Sequence, residues 1–175
     1  VFFVVFQPAT QRAKIWRLQE IFGTTPRHVR YVSMDFTSDD LLAKLRRAGF
    51  SETLTTMFIW EGVSMYLTAS AAEATLTFVR RHSAPGSAIV FDYYSDTHPS
   101  VNNPLSLVAQ LGEPMLFGVP GYKAADFVES KGLEVISDLD STELRRAYVL
   151  PDSGHQRQAW FDDARALKIC YARVP

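Results

Sequence analysis

Hydrophobic positions along this chain fall into two alternating rhythms. Residues 1–6, "VFFVVF", are an unbroken run of β-branched and aromatic residues, the pattern of a central parallel strand. Pro8 then suits the first turn of a helix, with Ile15, Leu18 and Phe22 on one face and Gly23 as its stop. "HVRYVSMDF" (28–36) alternates Val29, Tyr31 and Ser33 against Arg30, Val32 and Met34, which predicts a second strand. Ser38 is the expected cap of a helix whose stripe is Leu41, Leu42, Leu45 and Ala48, ended by Gly49.

A strand over 55–60 follows, and the run Met57, Phe58, Ile59, Trp60 reads as buried on both faces. The next helix spans about Thr68 to His82. Ser70 and Glu73 have capping-box spacing there, and Ala72, Leu76 and Val79 make its buried face. "GSAIVFDYY" (86–94) is a further strand. Strand and helix alternate with short connections up to this point, which predicts βαβ units and a parallel sheet.

The rhythm then breaks. Residues 95–120 carry Pro99, Pro104, Pro114 and Pro120 among Asn, Ser and Gly, and read as an irregular excursion with one short helix near 104–111. A helix over 121–131, with Ala124, Phe127 and Val128 inward, leads into a strand over 132–138. A short helix over 141–149, the polar loop "PDSGHQRQ" and a last strand, "ALKICYARV", complete the chain. That last strand is expected antiparallel at the sheet edge. The expected architecture is one doubly wound α/β domain over residues 1–175.

Composition narrows the function without naming it. With 175 residues, 47% of them hydrophobic, the chain can bury roughly 70% of the surface it would expose unfolded. Net charge is −1 with both signs interspersed, so no single-sign field would hold a nucleic-acid backbone. A single cysteine, Cys170, excludes an internal disulfide framework and fits a reducing cytoplasm. The apolar opening is too short to span a membrane. It lacks an initiator Met and starts inside a strand-like run, so the chain is expected to be the carboxy-terminal portion of a longer protein.

The candidate chemistry lies at strand ends. In an open parallel sheet, ligands sit beyond the carboxyl ends of the strands, and Asp35, Glu61 and Asp92 stand at such ends. Taken singly, each acid fits a helix cap or a solvated turn as well as it fits a ligand contact. Glu61 raises the sharper question, because an apolar strand stops on Glu-Gly where a neutral turn would serve. Other chemistries fit less well. The four histidines show no metal-ligand spacing, and "GVSMY" (62–66) lacks the second glycine of a nucleophile elbow around Ser64. Cys170 reads as a small buried hydrophobe. No G-x-G occurs, so a dinucleotide fingerprint and a phosphate loop are both missing from the sequence.

"FQPATQ", "VSMDF", "FIWEGVSMYLT", "IVFDYY", "GEPMLFG" and "KGLEVISDLDSTEL" together resemble the leucine carboxyl methyltransferase family, and within it the bacterial branch of S-adenosylmethionine-dependent O-methyltransferases. The likeness runs through nearly the whole chain in order. It implies a class I methyltransferase (Rossmann-like) fold without its first strand, S-adenosyl-L-methionine as cofactor, and a small-molecule or peptide carboxylate as methyl acceptor. It also implies that Glu61 and Gly62 line the cofactor pocket. Asp35 and Phe36 match the pair that contacts the adenine, while Trp60 reads as sheet core. No catalytic base and no metal are implied.

Two departures from the family pattern matter. Val4 and Phe6 stand where relatives carry acids, one of which holds the ribose hydroxyls, and the glycine loop would precede Val1. A hydrogen bond to a charged acceptor contributes about 1.5–3 kcal/mol, so this loss alone predicts binding weaker by one to two orders of magnitude. Three readings stand at this point: a methyltransferase or the carboxy-terminal part of one, a non-catalytic remnant or interaction module, and an α/β hydrolase-like enzyme built on Ser64.

Overall fold

A computed structural model describes residues 1–35, 38–148 and 167–175. The chain divides into two compact units, 1–52 and 53–175, each described by itself.

In the first unit, β1 (Phe2–Phe6) pairs in parallel with β2 (Val29–Ser33), Phe6 opposite Ser33, and α1 (Pro8–Phe22) makes the crossover. Gly23 ends α1 in the left-handed region at φ 70°, its amide donating to the Gln19 carbonyl. The inward stripe of α1 differs from the expected one. Ile15 and Leu18 are half-buried, but Phe22 is exposed and Gln11 is buried in its place. Gln11 reaches inward because its amide Nε2 donates to the Val4 carbonyl at 3.1 Å. Helix α2 (Leu41–Arg47) buries Leu45, as its stripe predicts. Its cap is Asp40, not Ser38. Asp40 has the extended backbone a cap requires, and its Oδ1 accepts from the Ala43 amide at 3.0 Å.

The second unit is a four-stranded mixed sheet in the order β3-β4-β6-β5. Here β3 is Met57–Trp60, β4 is Ala88–Tyr94, β5 is Glu134–Asp140 and β6 is Leu167–Arg173. Strand β4 runs parallel to β3, and β6 is antiparallel to both of its neighbours. The antiparallel direction of the last strand is as expected, but its place is not. β6 lies inside the sheet, and β5 takes the edge. Cys170 and Ala172 of β6 have no exposed surface, in keeping with its interior place. Strand β5 carries a bulge between Val135 and Ser137 and leaves Ile136 exposed, as an edge tolerates.

β3 is the other edge of this sheet, and it is buried on one face only. Phe58 and Trp60 pack on the core, whereas Met57 and Ile59 are 56% and 74% exposed. Helix α3 (Ala69–Arg81) covers the Phe58 side and buries Ala72, Leu76 and Val79, the three positions its periodicity marks. Its cap is Thr68, whose hydroxyl accepts from the Ala71 amide; Ser70 hydrogen-bonds to that same hydroxyl and does not begin a capping box. The reciprocal box belongs to α6 (Ser141–Tyr148). There Asp140 Oδ1 accepts from the Thr142 and Glu143 amides, while Glu143 Oε2 accepts from the Asp140 amide.

The excursion after β4 holds one short helix, α4 (Leu107–Gln110), and its base is stitched by parallel bridges Ser95–Val119 and Val101–Met115. Helix α5 (Ala124–Glu129) then buries Ala124 and Val128 before β5. The polar loop "PDSGHQRQ" lies outside the described residues.

Candidate functional site

Parallel register sets the site. Trp60 is opposite Phe91, so the next residues, Glu61 and Asp92, reach the same level at the carboxyl ends of β3 and β4. Trp60 stays in the core, its ring centroid 5.6 Å from that of Phe91. Glu61, one residue beyond the ladder, is exposed. Gly62 then turns the chain at φ 67°, a backbone that glycine adopts without the Cβ penalty. A Cβ there would meet nothing within 4 Å, so the space beside this turn is open.

Asp92 supports the turn from the neighbouring strand. Its Oδ1 accepts from the Gly62 amide at 2.9 Å, and its main-chain carbonyl accepts from the Ser64 hydroxyl. Burial pushes the Asp92 carboxyl above its ordinary value, opposed by hydrogen bonds from the Gly62 amide and its own amide, with the charge of Glu61 adding to the rise. The next segment is tied to the excursion. The Met65 carbonyl accepts from the amides of Leu116 and Phe117 at 2.8 and 3.1 Å, and Met65 packs with Val101 and Met115.

In the first unit, Asp35 sits two residues beyond the end of β2, in a turn closed by Asp39. The Asp35 amide donates to Asp39 Oδ2 at 2.8 Å, and the Asp35 carbonyl accepts from the Asp39 amide at 2.9 Å. The first of those bonds, helped by Lys44 at 3.0 Å, holds the Asp39 carboxyl below its ordinary value. Phe36, the other residue matched to the adenine contact, lies outside the described residues. In β1, the ring centroid of Phe6 lies 4.6 Å from the Lys14 amine.

Two side chains considered for other chemistry prove structural. Ser64 is fully buried with its hydroxyl donated to a carbonyl, so it presents no nucleophile to solvent. Cys170 is buried too, and its thiol is pushed up to about 12, first by desolvation and then by the Asp138 charge. Among the described residues, no group of His, Cys, Asp and Glu could hold a metal ion, and no helix is long and apolar enough to cross a membrane.

Sequence reasoning paired Glu61 with Gly62 and named Asp92 apart from them; the structure joins Asp92 to that turn through the Gly62 amide. Nothing in the local pattern joins residues 62 and 92. The available signal was that both acids end strands predicted to be parallel.

Residues 1–80 match the sequence model of the family described as leucine carboxyl methyltransferase. The Bacillus subtilis (strain 168) protein named "Putative S-adenosyl-L-methionine-dependent methyltransferase YktD" is 32% identical over 149 residues, which cover 81% of this chain and 49% of that protein. The chain spans about half the length of the curated relatives it matches. Among solved structures, a DUF574 family protein from Streptomyces avermitilis superposes with a TM-score of 0.61 at 14% identity, covering 99% of this chain and 65% of that one. The N-methyltransferase NodS from Bradyrhizobium japonicum, solved with S-adenosyl-L-homocysteine, superposes with a TM-score of 0.53 at 12% identity, covering 99% and 66%. At such identities the likeness shows the fold, which is that of class I methyltransferases. Over residues 1–80 the chain is thus similar to the leucine carboxyl methyltransferase family, and its fold is the one class I methyltransferases share.

Proposed function

We propose that this chain is an S-adenosylmethionine-dependent O-methyltransferase, or part of one, acting on a carboxylate or other small-molecule or peptide acceptor. The observation that carries the reading is the Glu61–Gly62 turn at the carboxyl edge of β3, held open beside Asp92 in a methyltransferase fold. The methionine moiety of the cofactor carries an ammonium and a sulfonium. A fixed carboxylate in a partly dry cleft favours such a cation, and Glu61 supplies one.

The rest of the site is assigned by the same reading. Asp35 accepts from the adenine amino group, and Phe36 packs on the ring. When bound, the cofactor supplies an activated methyl group, and the protein positions the acceptor in line with it. An acceptor that is already a carboxylate needs no general base. The amides that tie the excursion at 95–120 to Met65, just after the Glu61–Gly62 turn, support giving it one wall of the acceptor site. The absence of an acid at Val4 and Phe6 favours a second reading, a non-catalytic module that keeps the fold without useful cofactor affinity.

Titration calorimetry with S-adenosylmethionine and with adenosine separates these readings. The enzyme reading expects weak binding, with Glu61→Gln lowering affinity for S-adenosylmethionine about tenfold and for adenosine hardly at all. Equal losses for the two ligands would mean that Glu61 does not read the charge. No heat from a demonstrably folded chain would leave the non-catalytic module.

A further inference from the structure

We propose that Asp92 is a positioning residue for Glu61, latching the turn that aims the Glu61 carboxylate; the inference rests on the reading of Glu61 as the cation-facing group. Glu61 is the first residue after the last paired position of β3, so the ladder no longer dictates its backbone. What dictates it is the next peptide. The Gly62 N–H points across to Asp92 Oδ1 at 2.9 Å, which sets the plane of the 61–62 peptide and with it the direction in which Glu61 leaves the chain.

A second contact from the same residue closes the latch. Ser64, with no exposed surface, donates its hydroxyl to the Asp92 carbonyl. Asp92 therefore grips the turn on both sides of Val63, using its side chain on one side and its main chain on the other. The segment beyond is also fixed, since Met65 accepts two amides from the excursion. Glycine at 62 would otherwise leave this turn with more backbone freedom than any other residue. A half-buried carboxylate is an expensive way to hold one amide, because a neutral amide oxygen would accept the same bond without desolvating a charge. Its cost is consistent with a geometric role at the site and not with stability alone.

The role is tested by comparing Asp92→Ala, which removes the acceptor, with Asp92→Asn, which keeps an oxygen at the same reach. Two readouts are taken on the 175-residue chain: exchange of the Gly62 amide by NMR, and the ratio of S-adenosylmethionine affinity to adenosine affinity. Positioning expects Asp92→Ala to speed Gly62 exchange and to lower the affinity ratio about tenfold, with little further loss when Glu61→Gln is added. Asp92→Asn should restore both readouts to near wild type. Where the alanine variant fails to fold, Asp92→Glu, which displaces the acceptor by one methylene, should show the same loss of ratio.

An unchanged ratio in Asp92→Ala would overturn the proposal, leaving a contact that only stabilises the fold. Asn behaving as badly as Ala would overturn it as well, because charge and not geometry would then be the cause. A wild-type chain without preference for S-adenosylmethionine over adenosine would remove the cofactor reading of Glu61. Gly62 exchange, which needs no ligand, would then still decide whether Asp92 holds the turn.

Discussion

The Tyr93 hydroxyl lies 2.8 and 2.9 Å from the two carboxylate oxygens of Asp138 and donates to that group from near the end of β4 to the edge strand β5. Lys168 on the intervening β6 adds a third contact, its Nζ 2.9 Å from Asp138 Oδ2, with both side chains 18% exposed. Three strands are thus joined through one carboxylate. Asp138→Ala would take the carboxylate away from a partly buried ammonium and a buried hydroxyl, and is expected to destabilise the chain by about 2 kcal/mol. Tyr93→Phe, which loses only the hydroxyl, should cost about 1 kcal/mol. Urea unfolding followed by circular dichroism measures both, and equal costs would mean that the Lys168–Asp138 pair adds nothing to stability.

Cys170 should be chemically silent in the native chain. Its thiol is pushed up to about 12 by burial and by Asp138, so almost no thiolate exists at pH 8. Iodoacetamide at that pH should label it only after denaturant is added. Rapid labelling of the folded chain would show that β6 opens readily from between β4 and β5.

Gly118 has no room for a side chain. A Cβ there would lie 2.5 Å from the carbonyl carbon and oxygen of Ser95 and from the Asp96 amide nitrogen, all main-chain atoms. Those atoms belong to the base of the excursion, where Asp96 also accepts from the Gly121 amide at 3.0 Å. Gly118→Ala is therefore expected to cost about 1–3 kcal/mol and to loosen residues 95–120 before the sheet. Limited proteolysis should show new cuts within that segment; an unchanged digestion pattern would contradict the close approach.

Asp92 gives a pH dependence whose sign follows from its raised carboxyl value. A carboxyl raised in the folded chain binds its proton more readily there than when unfolded. Its contribution is full below the ordinary aspartate value of 3.8 and is lost as pH rises through the raised one. Asp92→Asn, which keeps the acceptor for Gly62, should therefore gain stability relative to wild type as pH rises through that window. Melting temperatures at pH 3.5 and pH 7 check it, and a larger gap at the acidic end would reverse the assignment.

Restoring an acid in β1, as Val4→Glu or Phe6→Asp, should strengthen S-adenosylmethionine and adenosine alike, because the ribose is common to both. One regained hydrogen bond to a charged acceptor predicts a gain of one to two orders of magnitude. In Phe6→Asp, the Lys14 amine that now lies over the phenyl ring is a competing partner. Calorimetry should then show a smaller gain for Phe6→Asp than for Val4→Glu.

Much of this was legible in the sequence, and the reason is local. Helix α3 shows its buried face, Ala72, Leu76 and Val79, because a 3.6-residue period survives in the order of residues whatever the helix packs on. Gly23 and the parallel strands β1 and β2 are visible for similar reasons, since backbone freedom and β-branched runs act on neighbours in the chain. The acids at 61 and 92 are legible as strand ends because an apolar run stops there.

Caps and strand positions were less legible. Ser38 and Ser70 look like caps, but Asp40 and Thr68 hold those positions, because the choice among adjacent polar residues is made by where the backbone leaves the extended region. The interior place of β6 depends on pairing with β4 and β5 from far along the chain, and no local pattern carries that information. The inward turn of Gln11 is also set at a distance in sequence, by a carbonyl on β1 that its amide can reach.

The sequence by itself determined the elements, the buried face of α3 and the acidic ends of the strands, since each depends on side chains only a few residues apart. Tertiary structure alone decided that β3 and β4 pair with Trp60 opposite Phe91, and so that Asp92, 30 residues from Gly62, receives its amide. A hydrogen bond depends on tenths of an ångström between groups that chain order leaves unrelated, and only the packed sheet supplies that precision.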